Sequence, residues 1–385
     1  MLYHLVDWLN SLGIDVPGMG LMHYLSFRAM LALVISMLIG FLAGGRIIRW
    51  LRKHQIGEDI RDLGLEGQMQ KKGTPTMGGL IIIVALMGSA LLVCRLDSIY
   101  TILLMITTLW CGAIGFADDY IKAFKHRKEG MSERGKLILQ FGLGLVVALT
   151  VCISPDIPTD RLITTIPFVK AHEFDYSWLS PFHGQLGVYC SWGIYMIMII
   201  LVTLACSNGT NLTDGMDGLA SGTSAIVGVA IGVMAWLSGD VIDAKYLNIM
   251  YIPGSGEVAI FMAAFVGALI GFLWYNCFPA QVFMGDTGSL TIGGIIGVSA
   301  VLIRKELILP LLCGIFLMES LSVIIQRSHF KRTKRKYGEG RRVFLMAPLH
   351  HHYQKQGIPE PRIVTRFWII GIILAVGTLA VLKIR

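Results

Sequence analysis

Long apolar stretches recur along this chain, and one of them, "WGIYMIMIILVTLAC" at 192–206, contains no charged residue. A helix needs about 20 predominantly apolar residues to cross a bilayer. None of the stretches shows the strand-like alternation that is typical of a transmembrane β-barrel. The sequence therefore predicts an all-α polytopic membrane protein with about ten transmembrane helices in one integral membrane domain, residues 1–385. The predicted spans lie near 24–45, 78–95, 99–117, 136–154, 190–206, 218–238, 257–276, 287–303, 307–326 and 366–383.

The composition supports this class. Hydrophobic residues make up 54% of the chain and charged residues only 15%, whereas a soluble domain is about 25% charged. The 44 glycines are in keeping with transmembrane helices, because small residues let such helices approach one another closely.

Lysine and arginine are distributed unevenly among the connections. The connections at 46–77, 118–136 and 327–366 hold seven, six and eleven of them, 24 of the 33 in the chain. Ten crossings place these three connections on one side and both termini on the other. Positive charge marks the cytoplasmic side, so both termini are predicted to be periplasmic. The cytoplasmic loops are then about 46–77, 118–135, 207–217, 277–286 and 327–365, and 155–189 is a periplasmic segment with a small hairpin or surface helix.

The net charge of +8 is explained by this topology together with attraction for anionic lipids or ligands. No aromatic and basic motif of an RNA-binding protein is present, so nucleic acid is not a predicted partner.

Carboxylates and amides collect at the ends of the spans on the predicted cytoplasmic side. Because several carboxylates close together repel one another, a divalent cation would stabilise the group. Oxygen ligands from Asp and Asn suit Mg²⁺, and no Cys/His set has the spacing of a zinc site. The residues concerned are Asp118 and Asp119 after the third span, Asn211, Asp214 and Asp217 after the fifth, and Asp286 at the start of the eighth.

Each of these groups also has an ordinary structural explanation. Asp118 and Asp119 would point about 100° apart on a helix, so we expect one to bind metal or substrate while the other acts as a base. A solvated pair at a helix end is the alternative. Asp286 could simply cap a helix, although a helix N-terminus next to glycines also favours phosphate. The "DGMDG" segment lacks the spacing of a calcium-binding EF-hand loop.

Three further groups lie on the same predicted side. Lys71 and Thr76 could contact phosphate or could flank a span. Phe283 could anchor the loop in the membrane or stack on a base. The three consecutive histidines 350–352 cannot all face one ligand from a helix, so we expect one or two of them to contact a diphosphate, with a polar surface loop as the alternative.

Five motifs resemble those of a known family. They are "KKGTPTMGG", "FADDYIK", "NGTNLTDGMDGLA", "FMGDTGSL" and "APLHHHYQKQG", and they resemble the motifs of the phospho-N-acetylmuramoyl-pentapeptide-transferases of bacterial cell-wall synthesis. The resemblance keeps the family's motif order and extends from about residue 24 to the C-terminus. The triple histidine separates this family from relatives that transfer N-acetylglucosamine phosphate.

The resemblance implies a reaction and its partners. UDP-MurNAc-pentapeptide and undecaprenyl phosphate would give the undecaprenyl-diphosphate-linked product, lipid I, and UMP. It also implies Mg²⁺, a location in the bacterial inner membrane with the active site on the cytoplasmic face, and a homodimer. The alternative function is that of the related UDP-GlcNAc:polyprenyl-phosphate GlcNAc-1-phosphate transferases.

The resemblance also implies roles for individual residues. Asp118, Asp119 and Asp286 correspond to catalytic residues, and Asp286 to the metal ligand. Lys136 is favoured over Arg134 as the family's basic residue after the third span. The implied substrate-binding residues are Lys71, Thr76, Lys136, Asn211, Asp214, Asp217, Asn276, Phe283, His350, His351 and His352.

Two mechanisms and one other class of function stay open at this point. The lipid phosphate could attack the β-phosphorus directly with Asp118 as base, or an aspartate could form a covalent intermediate. An ion-coupled transporter also carries carboxylates in the membrane, but near the midplane and with inverted repeats. Here the carboxylates are predicted to lie at one face.

Overall fold

A computed structural model describes residues 1–13, 17–54, 73–124, 130–157, 162–168 and 173–382. Helices make up most of this structure. In chain order they are α1 (Leu2–Ser11), α2 (Leu25–Lys53), α3 (Gly79–Val93), α4 (Ile99–Phe124), α5 (Glu133–Ile153), α6 (Gly184–Thr213), α7 (Leu219–Gly239), α8 (Val241–Leu247), α9 (Gly256–Asn276), α10 (Gly285–Leu302), α11 (Leu309–Leu312), α12 (Gly314–Tyr337), α13 (Leu349–Lys355) and α14 (Glu360–Val381). The two strands are β1 (Ile163–Thr165) and β2 (Glu173–Asp175).

Every predicted span contains a helix. Among the described residues, eight helices are long and apolar enough to cross a bilayer. Two predicted spans differ from simple crossings: α3 has only 15 residues, and the segments Glu306–Leu312 and Gly314–Tyr337 are bent by 79° relative to each other. The all-α polytopic class is confirmed, while the count of ten and the side of the termini stay predictions.

Four helices continue beyond their predicted spans, so the predicted loops begin too early. Helix α2 ends at Lys53, α4 at Phe124, α6 at Thr213 and α12 at Tyr337. The loops predicted at 46–77, 118–135, 207–217 and 327–365 are shortened accordingly, and the last also contains α13 and the start of α14. The reason is physical: hydropathy detects the part of a helix inside the bilayer, whereas the helical hydrogen bonds continue into the polar layer.

Helix α10 lies at the centre of the bundle. Of the apolar segment of α10 that could cross a bilayer, 89% is buried, compared with 28% of the corresponding segments of α2 and α6. It contacts α3, α4, α6 and α7, and its small residues let these neighbours come close. A Cβ atom at Gly293 would lie only 2.3 Å from the carbonyl oxygen of Cys206 in α6. Helix α10 therefore forms the centre of the molecule, and Asp286 lies in its first turn.

A pair of short strands lies at the end of the bundle opposite Asp286, in the segment for which a small hairpin or a surface helix was predicted. Strands β1 and β2 pair antiparallel, with Thr164 opposite Phe174. The backbone N–H of Thr165 donates to the carbonyl oxygen of Arg304, and Lys305 Nζ donates to Thr165 Oγ1 at 2.7 Å. These contacts fix the segment to the far end of α10, away from the aspartates.

Candidate active site

Asp119 holds the N-terminus of α10. The first N–H groups of a helix have no partner within the helix and need an acceptor from elsewhere. Asp119, which is buried near the end of α4, accepts hydrogen bonds from the backbone N–H of Asp286 (3.1 Å) and of Thr287 (2.9 Å) and from Thr287 Oγ1 (2.6 Å). Asp119 therefore acts as a helix cap supplied by a different helix, and it fixes Asp286 relative to α4.

Glycines make this contact between helices possible. A Cβ atom at Gly115 in α4 would lie 2.2 Å from the carbonyl oxygen of Asp286, and one at Gly79 in α3 would lie 2.1 Å from the backbone nitrogen of Gly288. Real Cβ atoms do not come this close to backbone atoms, so any larger side chain would separate the helices. The N-terminus of α10 is thus held between two glycine surfaces.

Two lysines join Asp118 to Asp286. Lys136 Nζ lies 2.9 Å from Asp118 Oδ1 and 2.6 Å from Asp286 Oδ2. Lys122 Nζ lies 2.7 Å from Asp118 Oδ2 and 3.3 Å from Asp286 Oδ2. Asp118 also accepts a hydrogen bond from the backbone N–H of Met131 at 2.7 Å. The positive charges offset the repulsion between two carboxylates that share one site.

Lys136 reaches this site from the first turn of α5. Ser132 caps that helix, because its Oγ accepts a hydrogen bond from the backbone N–H of Gly135. Arg134, the alternative basic residue, is exposed. Sequence reasoning did not single out Lys122 for the site; its spacing of four residues from Asp118 on a helix was the available signal.

Asn211 contacts Asp286 from the last turns of α6. Its Nδ2 donates to Asp286 Oδ1 and to Ser289 Oγ, both at 2.9 Å. Sequence analysis placed Asn211 in a loop, but it belongs to α6, which ends at Thr213. The helix gives the amide a fixed direction towards α10.

A second polar group lies next to this contact, in the interior. Gln140 Nε2 donates to Ser207 Oγ at 3.0 Å, and Gln140 Oε1 accepts from Asn208 Nδ2 at 2.9 Å. Ser207 Oγ in turn donates to the carbonyl oxygen of Leu290. Gln140 follows Lys136 by one helical turn, so this network ties α5, α6 and α10 together behind the charged residues. Sequence reasoning missed Gln140, whose only signal was one amide in an apolar helix.

The three aspartates fit a hard divalent cation. Asp118, Asp119 and Asp286 each offer a carboxylate oxygen, and these oxygens lie within 4.8 Å of one another. Carboxylate oxygens are the ligands that Mg²⁺ prefers. The Asp286 side chain is 13% exposed and that of Asp118 is fully buried, so Asp286 is the more accessible of these two carboxylates. The oxygens of Asp119 already accept three hydrogen bonds from the N-terminus of α10, so metal binding by Asp119 would compete with the cap of that helix.

The turn at 214–218 is held by neighbours on several helices. The backbone N–H of Asp217 donates to Glu360 Oε1 at 2.7 Å, and Asp217 Oδ2 accepts from the backbone N–H of Ala280 at 3.0 Å. Asn276 Oδ1 accepts from the backbone N–H of Gly218, and Asn276 Nδ2 donates to the carbonyl oxygen of Val282. Asp217 and Asn276 are both buried. Their hydrogen bonds hold the turn at 214–218 against the loop that follows α9. Glu360 was not predicted from the sequence.

Two predicted nucleotide contacts lie beside the aspartates. The backbone N–H of Phe283 donates to the carbonyl oxygen of Pro75, and the carbonyl oxygen of Phe283 accepts from Gly78, so the two segments run together. Thr76 is buried, and a Cβ atom at Gly285 would lie 3.0 Å from its Oγ1. Phe283 is half-buried. Lys71 lies outside the described residues.

The three histidines have different surroundings. His350 is fully buried and lies against Glu319, with its Nδ1 atom 3.2 Å from Glu319 Oε2. His351 and His352 are half-buried. His352 Nδ1 accepts a hydrogen bond from the backbone N–H of Leu345 at 3.1 Å. They share the short helix α13, where His350 lies against Glu319 and His352 against the backbone of Leu345.

Comparison with known proteins identifies the family. A family model described as glycosyl transferase family 4 matches residues 101–304, and a phospho-N-acetylmuramoyl-pentapeptide-transferase signature matches residues 71–83. Proteins with the name Phospho-N-acetylmuramoyl-pentapeptide-transferase align with the whole chain over their own whole length. They include those of Parabacteroides distasonis (52% identical), Flavobacterium psychrophilum (53%) and Porphyromonas gingivalis (50%). The chain belongs to the phospho-N-acetylmuramoyl-pentapeptide-transferase family.

The resemblance inferred from the five motifs is therefore confirmed. The range matched by the broader glycosyl transferase model runs from α4 to the end of α10, and it contains all three aspartates, both lysines of the cluster and Asn211. The signature covers Lys71, Thr76 and the close approach at Gly79. The histidines lie beyond both ranges, in a part of the chain that the full-length transferase relatives cover.

Proposed function

We propose that this protein transfers phospho-MurNAc-pentapeptide from UDP-MurNAc-pentapeptide to undecaprenyl phosphate, forming lipid I and UMP. The full-length identity of about half to transferases of that name carries the proposal. The site geometry supports it, since carboxylates, lysines and an amide from four helices, α4, α5, α6 and α10, converge at one end of a membrane bundle.

The site is assigned to the cytoplasmic face of the inner membrane. Basic residues are concentrated in the connections at the aspartate end of the bundle, and positive charge marks the cytoplasm. The chemistry agrees with this assignment, because a lipid phosphate reaches the site from the bilayer and a nucleotide sugar reaches it from the cytosol.

Mg²⁺ would be held at the three-aspartate cluster, with Asp286 as its principal ligand. Bound there, the ion would neutralise diphosphate charge and stabilise the leaving UMP. Asp118 is the second carboxylate placed to contribute. The ammonium groups of Lys122 and Lys136 already lie between Asp118 and Asp286, so they are placed to contact the phosphate oxygens that approach these carboxylates.

The bond changes assigned to the reaction are as follows. An oxygen of undecaprenyl phosphate attacks the β-phosphorus of the nucleotide sugar, and the bond from that phosphorus to the bridging oxygen breaks, so that UMP leaves with the oxygen. Asp118 is assigned as the base that would take a proton from the lipid phosphate. Its contribution is modest, because such a phosphate is mostly ionised near pH 7. The covalent aspartate intermediate is the competing route.

The remaining residues are assigned to substrate binding. Phe283 would stack on the uracil, and Asn211, Asp214 and Asp217 would border the nucleotide, with Thr76, Asn276 and the Lys71 region nearby. One or two of the histidines 350–352 would contact the diphosphate or sugar. A homodimer is the proposed assembly.

Two donors in one assay test the proposed function. Purified protein is given undecaprenyl phosphate and Mg²⁺ with either UDP-MurNAc-pentapeptide or UDP-GlcNAc, and UMP release is measured. UMP is expected from the first donor alone. Release from UDP-GlcNAc instead would favour the related transferase. UMP formed without lipid phosphate would overturn direct attack.

A further inference from the structure

Two buried glutamates support the turn at 214–218, which the proposed function places at the nucleotide. One contacts the turn directly, and the other contacts His350, which packs against the turn. Glu360, the first residue of α14, accepts the backbone N–H of Asp217 at 2.7 Å. Glu319 of α12 accepts the backbone N–H of His350, at 3.2 and 3.4 Å from its two oxygens, and also lies 3.2 Å from His350 Nδ1. Carboxylates are seldom fully buried without such partners, so both have a defined structural role.

His350 transmits the position of Glu319 to the turn. Its imidazole lies so close to Gly215 that a Cβ atom there would be 2.2 Å from Nε2 and 2.8 Å from Cε1. Gly215 does not adopt the left-handed backbone conformation, so alanine is compatible with its backbone, and the three atoms nearest to the added Cβ all belong to the imidazole. The ring is fully buried, and therefore the turn cannot move towards α12 without displacing it.

We infer that Glu319 and Glu360 are positioning residues for nucleotide-sugar binding: Glu360 holds the turn directly, and Glu319 holds it through His350. This inference rests on the proposed function. It assigns His350 a place beneath the turn, with its ring packed on Gly215, and it makes α12 and α14 part of the substrate site although neither carries an aspartate of the cluster. Asp214 and Asp217 then depend on the two glutamates for their positions.

Paired substitutions at the two glutamates provide the first test. Glu319→Leu and Glu360→Leu remove the acceptor, whereas Glu319→Gln and Glu360→Gln keep a carbonyl oxygen that still accepts a backbone N–H. We expect the leucine variants to raise the KM for UDP-MurNAc-pentapeptide about tenfold, the order of one lost hydrogen bond to a charged group. The glutamine variants should raise it less than about threefold, and the KM for undecaprenyl phosphate should not change.

The KM readout separates positioning from general stability. A variant that merely folds less well has a smaller active fraction, which lowers the apparent kcat and leaves the KM unchanged. Glu339→Gln is the matched control, since Glu339 is exposed on the loop after α12. Leucine variants with a wild-type KM for the nucleotide sugar, or with a loss in kcat alone, would overturn the inference.

A double-mutant cycle provides the second test. Gly215→Ala should raise the same KM about tenfold while His350 is present, and should add less than about twofold in a His350→Ala background, because the clash is gone. Independent, multiplying effects would mean that His350 acts on the substrate and not through Gly215. Wild-type protein that releases no UMP from this donor would refute the proposed function itself; active wild type with unchanged variants refutes only this inference.

Discussion

Gly115→Ala tests whether the close contact of α4 with α10 sets the active-site geometry. The added Cβ atom would lie 2.2 Å from the carbonyl oxygen of Asp286 and 2.5 Å from the Cα atom of Thr287. Both are backbone atoms of the first turn of α10, so no side-chain rotation can relieve the contact. The N-terminus of α10 has to move by about 1 Å to restore an ordinary separation.

This displacement acts directly on the cluster. The hydrogen bonds from Asp286 and Thr287 to Asp119 would lengthen, and Asp286 would move away from the two lysines. A misplacement of about 1 Å in an active site can cost about 100-fold in rate. We therefore expect kcat for UMP release to fall about 100-fold, measured per folded protein after size-exclusion chromatography in detergent.

Gly142→Ala is the matched control for a glycine within a helix. A Cβ atom at Gly142 in α5 would lie 3.5 Å from Trp110 Cζ2, an ordinary contact. Alanine also favours the helix by about 0.5–1 kcal/mol over glycine, so this variant should keep wild-type kcat. A Gly115→Ala variant with kcat within about threefold of wild type would refute the claim that this helix contact sets the site.

Three further predictions concern the charged cluster. Lys136→Met should lower kcat about 100-fold while Arg134→Met stays within about twofold, because Lys136 contacts the carboxylates and Arg134 is exposed; equal kinetic losses in both variants would contradict this. Asp119→Ala should lower the Tm, with about 2 kcal/mol lost from the cap of α10, and an unchanged Tm would show that the cap is dispensable. EDTA should abolish UMP release, and Asp286→Asn should raise the Mg²⁺ concentration for half-maximal activity at least about tenfold; wild-type Mg²⁺ dependence in that variant would reject Asp286 as a ligand.

The helices could be predicted from sequence because burial in lipid demands long apolar runs. The chain has such runs at all ten places, and each contains a helix. The ends of α4 and α6 could not be predicted in this way. Their last turns carry Asp118, Asp119 and Asn211, and polar residues look alike in sequence whether they lie in a loop or on a helix beyond the apolar core.

The meeting of Asp118, Asp119 and Asp286 could be predicted in outline, because all three lie at span ends on one predicted side. Their separate contacts could not. Asp119 caps α10 while Asp118 binds lysines, and that division depends on the rotation of α4 and on the contact at Gly115. Hydropathy carries no information about either.

The glutamates show a different limit. Glu360 is a single carboxylate just before the last predicted span, and nothing in its sequence neighbourhood distinguishes it from an exposed residue. Glu319 lies inside the predicted span 307–326, where a carboxylate is unusual, but the sequence does not identify its partner. Only the fold reveals that one lies on His350 and the other on the backbone of Asp217. Polar residues that act through tertiary contacts are recognised only when their partners are known.

The most direct test of the three-aspartate site locates the metal itself. Mn²⁺ accepts the same oxygen ligands as Mg²⁺ and can be found by anomalous X-ray scattering in crystals grown with Mn²⁺ and UMP. We expect one peak within coordination distance of an Asp286 oxygen, next to Asp118, which is lost in Asp286→Asn crystals. A peak elsewhere, or one that persists at full height in that variant, would contradict it.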